Sequence, residues 1–278
     1  MDMVRVVGQK YVRSTVNSSQ ISLLELVYKY RFVSRSLVAE SLGITYGSSL
    51  HERLEVLVKH KYLGRRFEKR NRLQGIPAAY YLTPDGLRTL RDVPGHEAIT
   101  DAVIKGSYND KTVGMNFVVD VLNVYKYTNL LKQHYPALKI FTKRDLARYT
   151  YFPPQPPDAV LSLPSDDPKQ PKRFFFDVIP DRLPRHALDR RIANYCEFFD
   201  EGGWDVTGSE LPVILLLAES GTTEKRMQRT VRMQLNRSDM EELPVYTSTI
   251  KALEHMIADA TIWTSVEDTD ELAALSSL

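Results

Sequence analysis

The sequence lacks several features that would each indicate a particular class of protein. It has one cysteine, Cys196, which excludes an internal disulfide and a zinc finger built on cysteines. Its six histidines show none of the paired spacings typical of zinc ligands. It has no glycine-rich phosphate loop of the Walker type, so a nucleotide-driven activity is not indicated. The longest strongly apolar run, residues 212–218, is about a third of the roughly 20 residues that a membrane span requires.

An excess of charge of one sign is also missing from the chain as a whole. The net charge of the 278 residues is only +2, and the hydrophobic share of 43% is ordinary for a globular protein. This length predicts two domains. Residues 1–5 carry no apolar segment of the kind found in a secretory signal. We therefore expect a reduced, cytoplasmic protein with no membrane association and no cofactor.

Changes in composition along the chain predict five parts. We expect a flexible arm at residues 1–18, a first domain at 19–92, and a connector with little regular structure at 93–114. A second, larger domain is expected at 115–262. Residues 263–278 contain four acids and no basic residue, and are expected to form a frayed acidic tail.

The first domain has the pattern of three helices followed by a β-hairpin. Apolar residues at helical spacing predict a first helix at 21–28. Ser34 is placed to cap a second helix. Gly43 permits a left-handed turn after it, and Ile44 is expected to fill the core between the helices. The elements predicted next are a third helix at 47–60, strands at 62–67 and 77–83, and a helix at 84–90.

This order of elements resembles the winged-helix fold of bacterial regulators. The residues that carry the resemblance are Arg53-Leu54, Leu57, Lys61-Tyr62-Leu63 and, after a basic loop, Tyr81-Leu82-Thr83-Pro84-Asp85-Gly86-Leu87. The resemblance covers about 70 residues, and in that fold the N-terminal half of the third helix enters the major groove of DNA. It implies a DNA-binding domain, although some winged helices bind protein instead.

Positive charge is concentrated beside the third helix. Residues 51–72 hold eight lysines and arginines and three acids, which leaves a net charge of +5. The phosphates of a bound duplex would lie there, so double-stranded DNA is the predicted partner. The candidate DNA-contacting residues are Tyr46, Ser48, Ser49, His51, Arg53, Lys61, Arg65, Arg66, Lys69, Arg70 and Arg72.

The second domain alternates helices with short apolar strands. The predicted helices are at 115–133, 185–200 and 222–235, and the predicted strands are at 138–142, 159–163, 173–179 and 213–218. This alternation is typical of an α/β domain.

Two acids stand at strand ends in the second domain. Asp158 precedes the strand at 159–163, and Asp177 lies near the end of the strand at 173–179. The pattern resembles magnesium-dependent nucleases of the PD-(D/E)xK class, in which two carboxylates hold the cation. A lysine two residues after the second acid lies on the same face of the strand, but Ile179 occupies that position here.

Asp158 and Asp177 are therefore the candidate metal-binding and catalytic residues, and we expect the centre to be inactive. Magnesium is expected as a cofactor only if the centre cuts DNA. The basic residues that the fold could bring to the pair are Lys143, Arg144, Arg190 and Arg191. In a purely structural interpretation, Asp158 is a turn residue and Asp177 is a strand-end carboxylate paired with an arginine.

Residues 21 to about 235 resemble the replication-relaxation family of plasmids and other mobile elements. The matching parts of the second domain are the helix at 115–133, the strand at 138–142, a Pro-Asp-Ala-Val strand at 158–163, a Phe-rich strand at 174–177 that ends in an acid, a helix at 188–199 that contains Tyr195, and the apolar strand at 213–218. The chain departs from the family after Asp177, where residues 177–182 replace the pattern Glu-x-Asp-Arg-Gly-Thr-Glu. The resemblance implies a part in replication control, conjugative DNA processing or transcription, with relaxase or replication proteins as possible partners.

We therefore predict an α+β or α/β fold, in which an N-terminal winged helix-turn-helix precedes a nuclease-like α/β domain with a central mixed sheet. The predicted function is a double-stranded DNA-binding accessory or regulatory protein of a mobile element. A homodimer is expected, because winged helices of this type read inverted half-sites. Two alternatives stay open: an active magnesium-dependent endonuclease and a protein-interaction adaptor.

Overall fold

The structure is a computed structural model that describes residues 16–68, 75–165, 167 and 170–278. Its helices are α1 (Ser18–Tyr30), α2 (Arg35–Leu42), α3 (Ser48–Lys59), α4 (Pro84–Arg91), α5 (Asp101–Gly106), α6 (Met115–His134), α7 (Lys143–Leu146), α8 (Arg185–Asp200), α9 (Gly221–Arg237) and α10 (Ile250–Glu254). Its strands are β1 (Val33–Ser34), β2 (Leu63–Arg66), β3 (Ala79–Leu82), β4 (Lys139–Thr142), β5 (Ala159–Leu163), β6 (Lys172–Ile179), β7 (Val213–Ala218), β8 (Val245–Thr249), β9 (Trp263–Ser265) and β10 (Leu272–Ala273).

The strands form two sheets. A three-stranded antiparallel sheet has the order β1-β3-β2, and a seven-stranded sheet has the order β10-β9-β8-β7-β6-β5-β4. Strands β6, β7 and β8 are parallel to one another, and the remaining pairs are antiparallel. The predicted mixed α and β class and the central mixed sheet are therefore confirmed.

Capping residues define the first two helices. Asn17 and Gln20 form a reciprocal capping box at the start of α1. The Ser34 hydroxyl accepts from the backbone N–H of Leu37 and begins α2, as predicted. Gly43 ends α2 with a φ of 61°, a left-handed conformation that glycine adopts without steric cost. Ile44, however, is exposed rather than buried, so the prediction that it fills the core is wrong.

Residues 93–114 were expected to have little regular structure, and that prediction is wrong. Thr100 caps α5, and a 3-10 helix at Ser107–Lys111 follows directly. Ile99 and Ile104 are buried against the α1–α3 core. Asp110 is also buried and forms an ion pair with Arg31 at 2.7 Å. The segment therefore packs together with the first three helices, and we call residues 16–68 and 75–114 the N-terminal half of the chain.

Both faces of the seven-stranded sheet are covered by helices. α6 and α10 pack on one face, and α8 and α9 pack on the other. Alternate residues of one strand contribute to opposite faces, as Phe175 and Phe176 do in β6. Burial on both faces explains why β7 is a continuous apolar run rather than an alternating one. The predicted bounds of β5 and β7 are confirmed.

The C-terminal segment belongs to the sheet, so the prediction of a frayed tail is wrong. β9 pairs with β8, and β10 pairs with β9. Trp263 and Leu275 are fully buried in the core under α6 and α10. The four acids lie in the connection between β9 and β10, while the apolar residues on either side of them hold the segment in place.

The N-terminal half packs closely on α6 and on the β4 end of the sheet. The rings of Tyr30 and Tyr125 stack with their centroids 3.6 Å apart. The Tyr125 hydroxyl donates to the Leu37 carbonyl at 3.1 Å. The Thr142 hydroxyl donates to the Lys29 carbonyl at 2.8 Å. Within the part of the chain that the structure describes, no helix combines the length and the apolar character needed to cross a bilayer.

Candidate nucleic-acid interface and buried acidic pair

The N-terminal half of α3 presents four of the eleven predicted DNA-contacting residues to solvent. Ser48, Ser49, His51 and Arg53 are all exposed on its first two turns. The same helix buries Leu50, Leu54 and Leu57 on its opposite face, and their spacing fixes which side points outward. The structure therefore brings these four polar side chains together at one end of one helix.

A cleft of about 630 Å³ separates α3 from the β2–β3 hairpin. His51 lies on one side of it, and Arg65 and the exposed ring of Phe67 lie on the other. Arg35 also lines the cleft, with its guanidinium 4.0 Å from the centre of the Tyr46 ring. Sequence reasoning missed Arg35, although its position directly after the capping serine places it on the first turn of α2.

Two neighbouring arginines of β2 point in opposite directions, as successive strand residues must. Arg65 is 41% exposed beside the cleft and forms an ion pair with Glu55 at 2.6 Å. Arg66 instead donates to the carbonyl of Val113 at 2.9 Å and is turned toward residues 110–115. The structure therefore does not bring Arg66 to the surface that holds Arg65.

The remaining predicted DNA contacts lie around the hairpin. Lys61 is exposed at the turn between α3 and β2, where its backbone has a φ of 62°. Lys69, Arg70 and Arg72 fall outside the described residues.

The two acids singled out in the second domain lie side by side. Because Ala159 of β5 pairs with Phe176 of β6, Asp158 is placed opposite Asp177. The backbone N–H of Asp158 donates to Oδ1 of Asp177 at 2.9 Å. The backbone N–H of Val178 donates to Oδ2 of Asp158 at 3.1 Å. The pairing predicted from the sequence is therefore present, and the backbone of both strands holds it.

Side chains from two helices complete the hydrogen bonding of the two carboxylates. Arg191 of α8 donates to Oδ1 of Asp177 at 2.5 Å and lies 3.6 Å from Oδ2 of Asp158. The Tyr195 hydroxyl, one turn later, donates to Oδ2 of Asp177 at 2.7 Å. Lys143 of α7 donates to Oδ1 of Asp158 at 2.7 Å. All four oxygens of the pair therefore already accept a hydrogen bond.

Burial and charge act differently on the two carboxyl groups. Burial raises the pKa of Asp177, which is fully inaccessible, and Arg191 only partly offsets this. Burial also opposes ionisation of Asp158, but the nearby charges of Lys143 and Arg191 outweigh it and lower the pKa. Burial raises the pKa of the Tyr195 hydroxyl well above its ordinary value, so Tyr195 stays a neutral donor.

The residues around the pair do not fit a magnesium ion. Magnesium prefers carboxylate oxygens and water, and the guanidinium of Arg191 stands between the two carboxylates instead. Ile179, in the position of the expected lysine, is buried among apolar side chains. Among the described residues, no group of three or more histidines, cysteines and acids is placed to hold a metal ion.

A cavity of about 340 Å³ opens beside Asp158, between the end of α1, α6 and the sheet. The charged residues that line it are Lys29, Arg31, Asp120, Lys143, Arg144, Asp158 and Arg191. Asp120, the only other carboxylate among them, is ion-paired with Arg182. The surroundings of the acidic pair are therefore predominantly cationic, and among the described residues no unpaired carboxylate lines this cavity.

Comparison with family models, characterised proteins and solved structures gives no match to this chain.

Proposed function

We propose that this protein is a double-stranded DNA-binding accessory or regulatory protein of a plasmid or mobile element. In this proposal residues 19–92 act as a winged helix-turn-helix, with α3 in the major groove and the β2–β3 hairpin beside the phosphates. The observation that carries the proposal is the exposed first half of α3, with His51 and Arg53, next to a cleft that also holds Arg35 and Arg65. Phosphates and base edges are the groups that such side chains bind.

We assign a structural role to the acidic pair. Asp158 and Asp177 are bridged by Arg191, so the second half of the chain would act as a nuclease-like scaffold without cleavage. We extend the proposal to a cytoplasmic homodimer on inverted half-sites, with relaxase or replication proteins as partners of the larger half.

Binding of labelled duplexes drawn from the region around the gene tests the DNA proposal. Fluorescence anisotropy over a series of salt concentrations should give a log-log slope of several units, because each phosphate contact releases counterions. Arg35→Gln and Arg53→Gln should each weaken binding about tenfold, as expected for loss of one charged contact to DNA. Lys105→Gln, an exposed change on α5, is the matched control. Equal binding by all four proteins would favour the protein-interaction adaptor.

An active endonuclease is the second candidate, because Asp158 and Asp177 do lie side by side. Supercoiled plasmid incubated with Mg²⁺ or Mn²⁺ tests it. We expect no nicking above the level given by Asp158→Asn. Metal-dependent nicking that disappears in Asp158→Asn and Asp177→Asn would replace our assignment with the nuclease.

A further inference from the structure

The outer face of α9 carries a dense row of positive charge. Five lysines and arginines of this helix are exposed, and we call them the α9 stripe: Lys225, Arg226, Arg229, Arg232 and Arg237. The opposite face buries Met227, Val231 and Leu235 against the sheet. At 1.5 Å per residue, the stripe extends over about 18 Å of helix.

The fold supplies little negative charge to the stripe. The only acid in α9 is Glu224, which is half-buried and accepts from the Thr247 hydroxyl of β8 at 3.2 Å. Arg226 lies near Asp181 and contacts its carbonyl at 3.4 Å. Arg232 donates to the Val266 carbonyl at 3.0 Å. Within residues 16–68, 75–165, 167 and 170–278, no carboxylate forms an ion pair with any member of the stripe.

The neighbouring helix extends the same surface. Arg185 of α8 is exposed, and its guanidinium lies 3.8 Å from the sulfur of Met233, on the side of α9 that carries Arg226 and Arg237. Among the described residues, the one carboxylate paired with Arg185 is that of Asp189, at the long distance of 4.0 Å. The cationic surface therefore crosses from one helix to the next.

Like charges at this spacing repel one another along a helix, so a bound polyanion would relieve the repulsion. A membrane surface is a poor match, because an interfacial helix needs a large exposed apolar face and that of α9 is already packed on the sheet. The exposed face offers one large apolar side chain, Met233, among its cations. Phosphates at regular spacing match such a row better.

We propose that the α9 stripe is a second contact for the phosphate backbone of duplex DNA, outside the site bound by α3. This inference rests on the proposed function for the choice of duplex DNA as the partner. Contacts from lysine and arginine to phosphates carry no sequence information, so a stripe that binds the phosphate backbone would add affinity and not sequence preference. The DNA would then run along the second half of the chain as well as across the first.

Salt-dependent binding to a short and a long duplex tests this proposal. The short duplex spans only the site bound by α3, and the long one extends beyond it on both sides. The triple variant Lys225→Gln, Arg229→Gln and Arg237→Gln should bind the short duplex like wild type. On the long duplex its log-log salt slope should fall by about 2–3 units, with about tenfold weaker binding or more, because three phosphate contacts are lost.

The matched control removes the same charge elsewhere, through Lys139→Gln, Arg148→Gln and Lys251→Gln on exposed positions. Equal losses in both triples would reduce the effect to net charge and overturn the proposal, as would an unchanged slope in the α9 triple. The Arg35→Gln variant distinguishes a failure of the α9 site from a failure of the proposed DNA-binding function. If Arg35→Gln weakens binding and the α9 triple does not, only the α9 site fails. If wild type binds neither duplex, the DNA function itself fails.

Discussion

The guanidinium of Arg191 lies 2.5 Å from a carboxylate oxygen of Asp177 and 3.6 Å from one of Asp158. Those two carboxylates are the groups that a magnesium-dependent nuclease would use to hold its metal. An arginine from α8 here supplies fixed positive charge where a divalent cation would be expected. This contact also explains how an acid as deeply buried as Asp177 is tolerated, because a buried charge is costly unless it is paired and hydrogen-bonded.

Arg191→Gln should destabilise the protein strongly. Removing one partner of a buried pair leaves the other uncompensated, at a cost of about 3–5 kcal/mol in the free energy of unfolding. Urea denaturation followed by circular dichroism measures this cost. Arg190→Gln, an exposed neighbour on the same helix, should change stability by less than about 0.5 kcal/mol.

Adding Asp177→Asn to Arg191→Gln should restore part of the lost stability, since it removes the unpaired charge. If Arg191→Gln unfolds at the same urea concentration as Arg190→Gln, the pairing of Arg191 with the two acids is unimportant in solution.

Arg65 and Arg66 should have separate effects although they are adjacent. Arg66→Gln should lower the free energy of unfolding by about 1–3 kcal/mol, because the carbonyl of Val113 loses its charged donor. Arg65→Gln should leave the unfolding curve nearly unchanged, because the exposed pair with Glu55 contributes little. Its effect should instead appear as weaker DNA binding with a shallower salt slope. Reversal of the two phenotypes would contradict the orientation of β2.

The sequence alone predicts those elements whose ends are defined by capping or turn-forming residues. Ser34 and Gly43 mark the ends of α2 chemically, and the apolar residues of β5 and β7 are bounded by charged or turn-forming residues. The structural interpretation of Asp177, as a strand-end carboxylate paired with an arginine, also came from residue types alone. The sequence also indicates Arg191 and Lys143 among the basic residues that could reach the acidic pair.

The features of the fold and of the candidate sites that the sequence does not predict depend on contacts between distant residues. The direction of Arg66 follows from the register of β2 with β3, which no local pattern specifies. β9 was overlooked because its few apolar residues, such as Trp263, precede four acids. The stripe on α9 is diluted in the overall charge of +2, and it becomes apparent only when the buried face of that helix is known.

Gly86→Ala should destabilise the N-terminal half of the chain. A methyl group at this position would lie 2.1 Å from the Tyr62 carbonyl oxygen, which is backbone and cannot rotate away. We expect a loss of about 1–3 kcal/mol in the free energy of unfolding, as for other overpacked sites. Gly106→Ala at the end of α5 is the control, because nothing lies within 4 Å of the added methyl. That control should be neutral or slightly stabilising, and equal melting temperatures for both variants would contradict the close approach of α4 to Tyr62.

Alkaline pH should loosen the contact between the two halves of the chain. Burial raises the pKa of Tyr30 to about 12, and burial likewise raises the pKa of Tyr125, which stacks on it. A tyrosine in the unfolded chain ionises near pH 10, so the unfolded state loses its proton first as the pH rises. The stabilisation is therefore fully present below about pH 10 and is lost between about pH 10 and 12, by roughly 1.4 kcal/mol per pH unit for each such tyrosine.

Tyr30→Phe should flatten this decline in urea titrations repeated across that range, whereas Tyr108→Phe, at an exposed position, should not. A decline of the same steepness in all three proteins would show that Tyr30 titrates freely, and that the stacked pair does not couple the two halves.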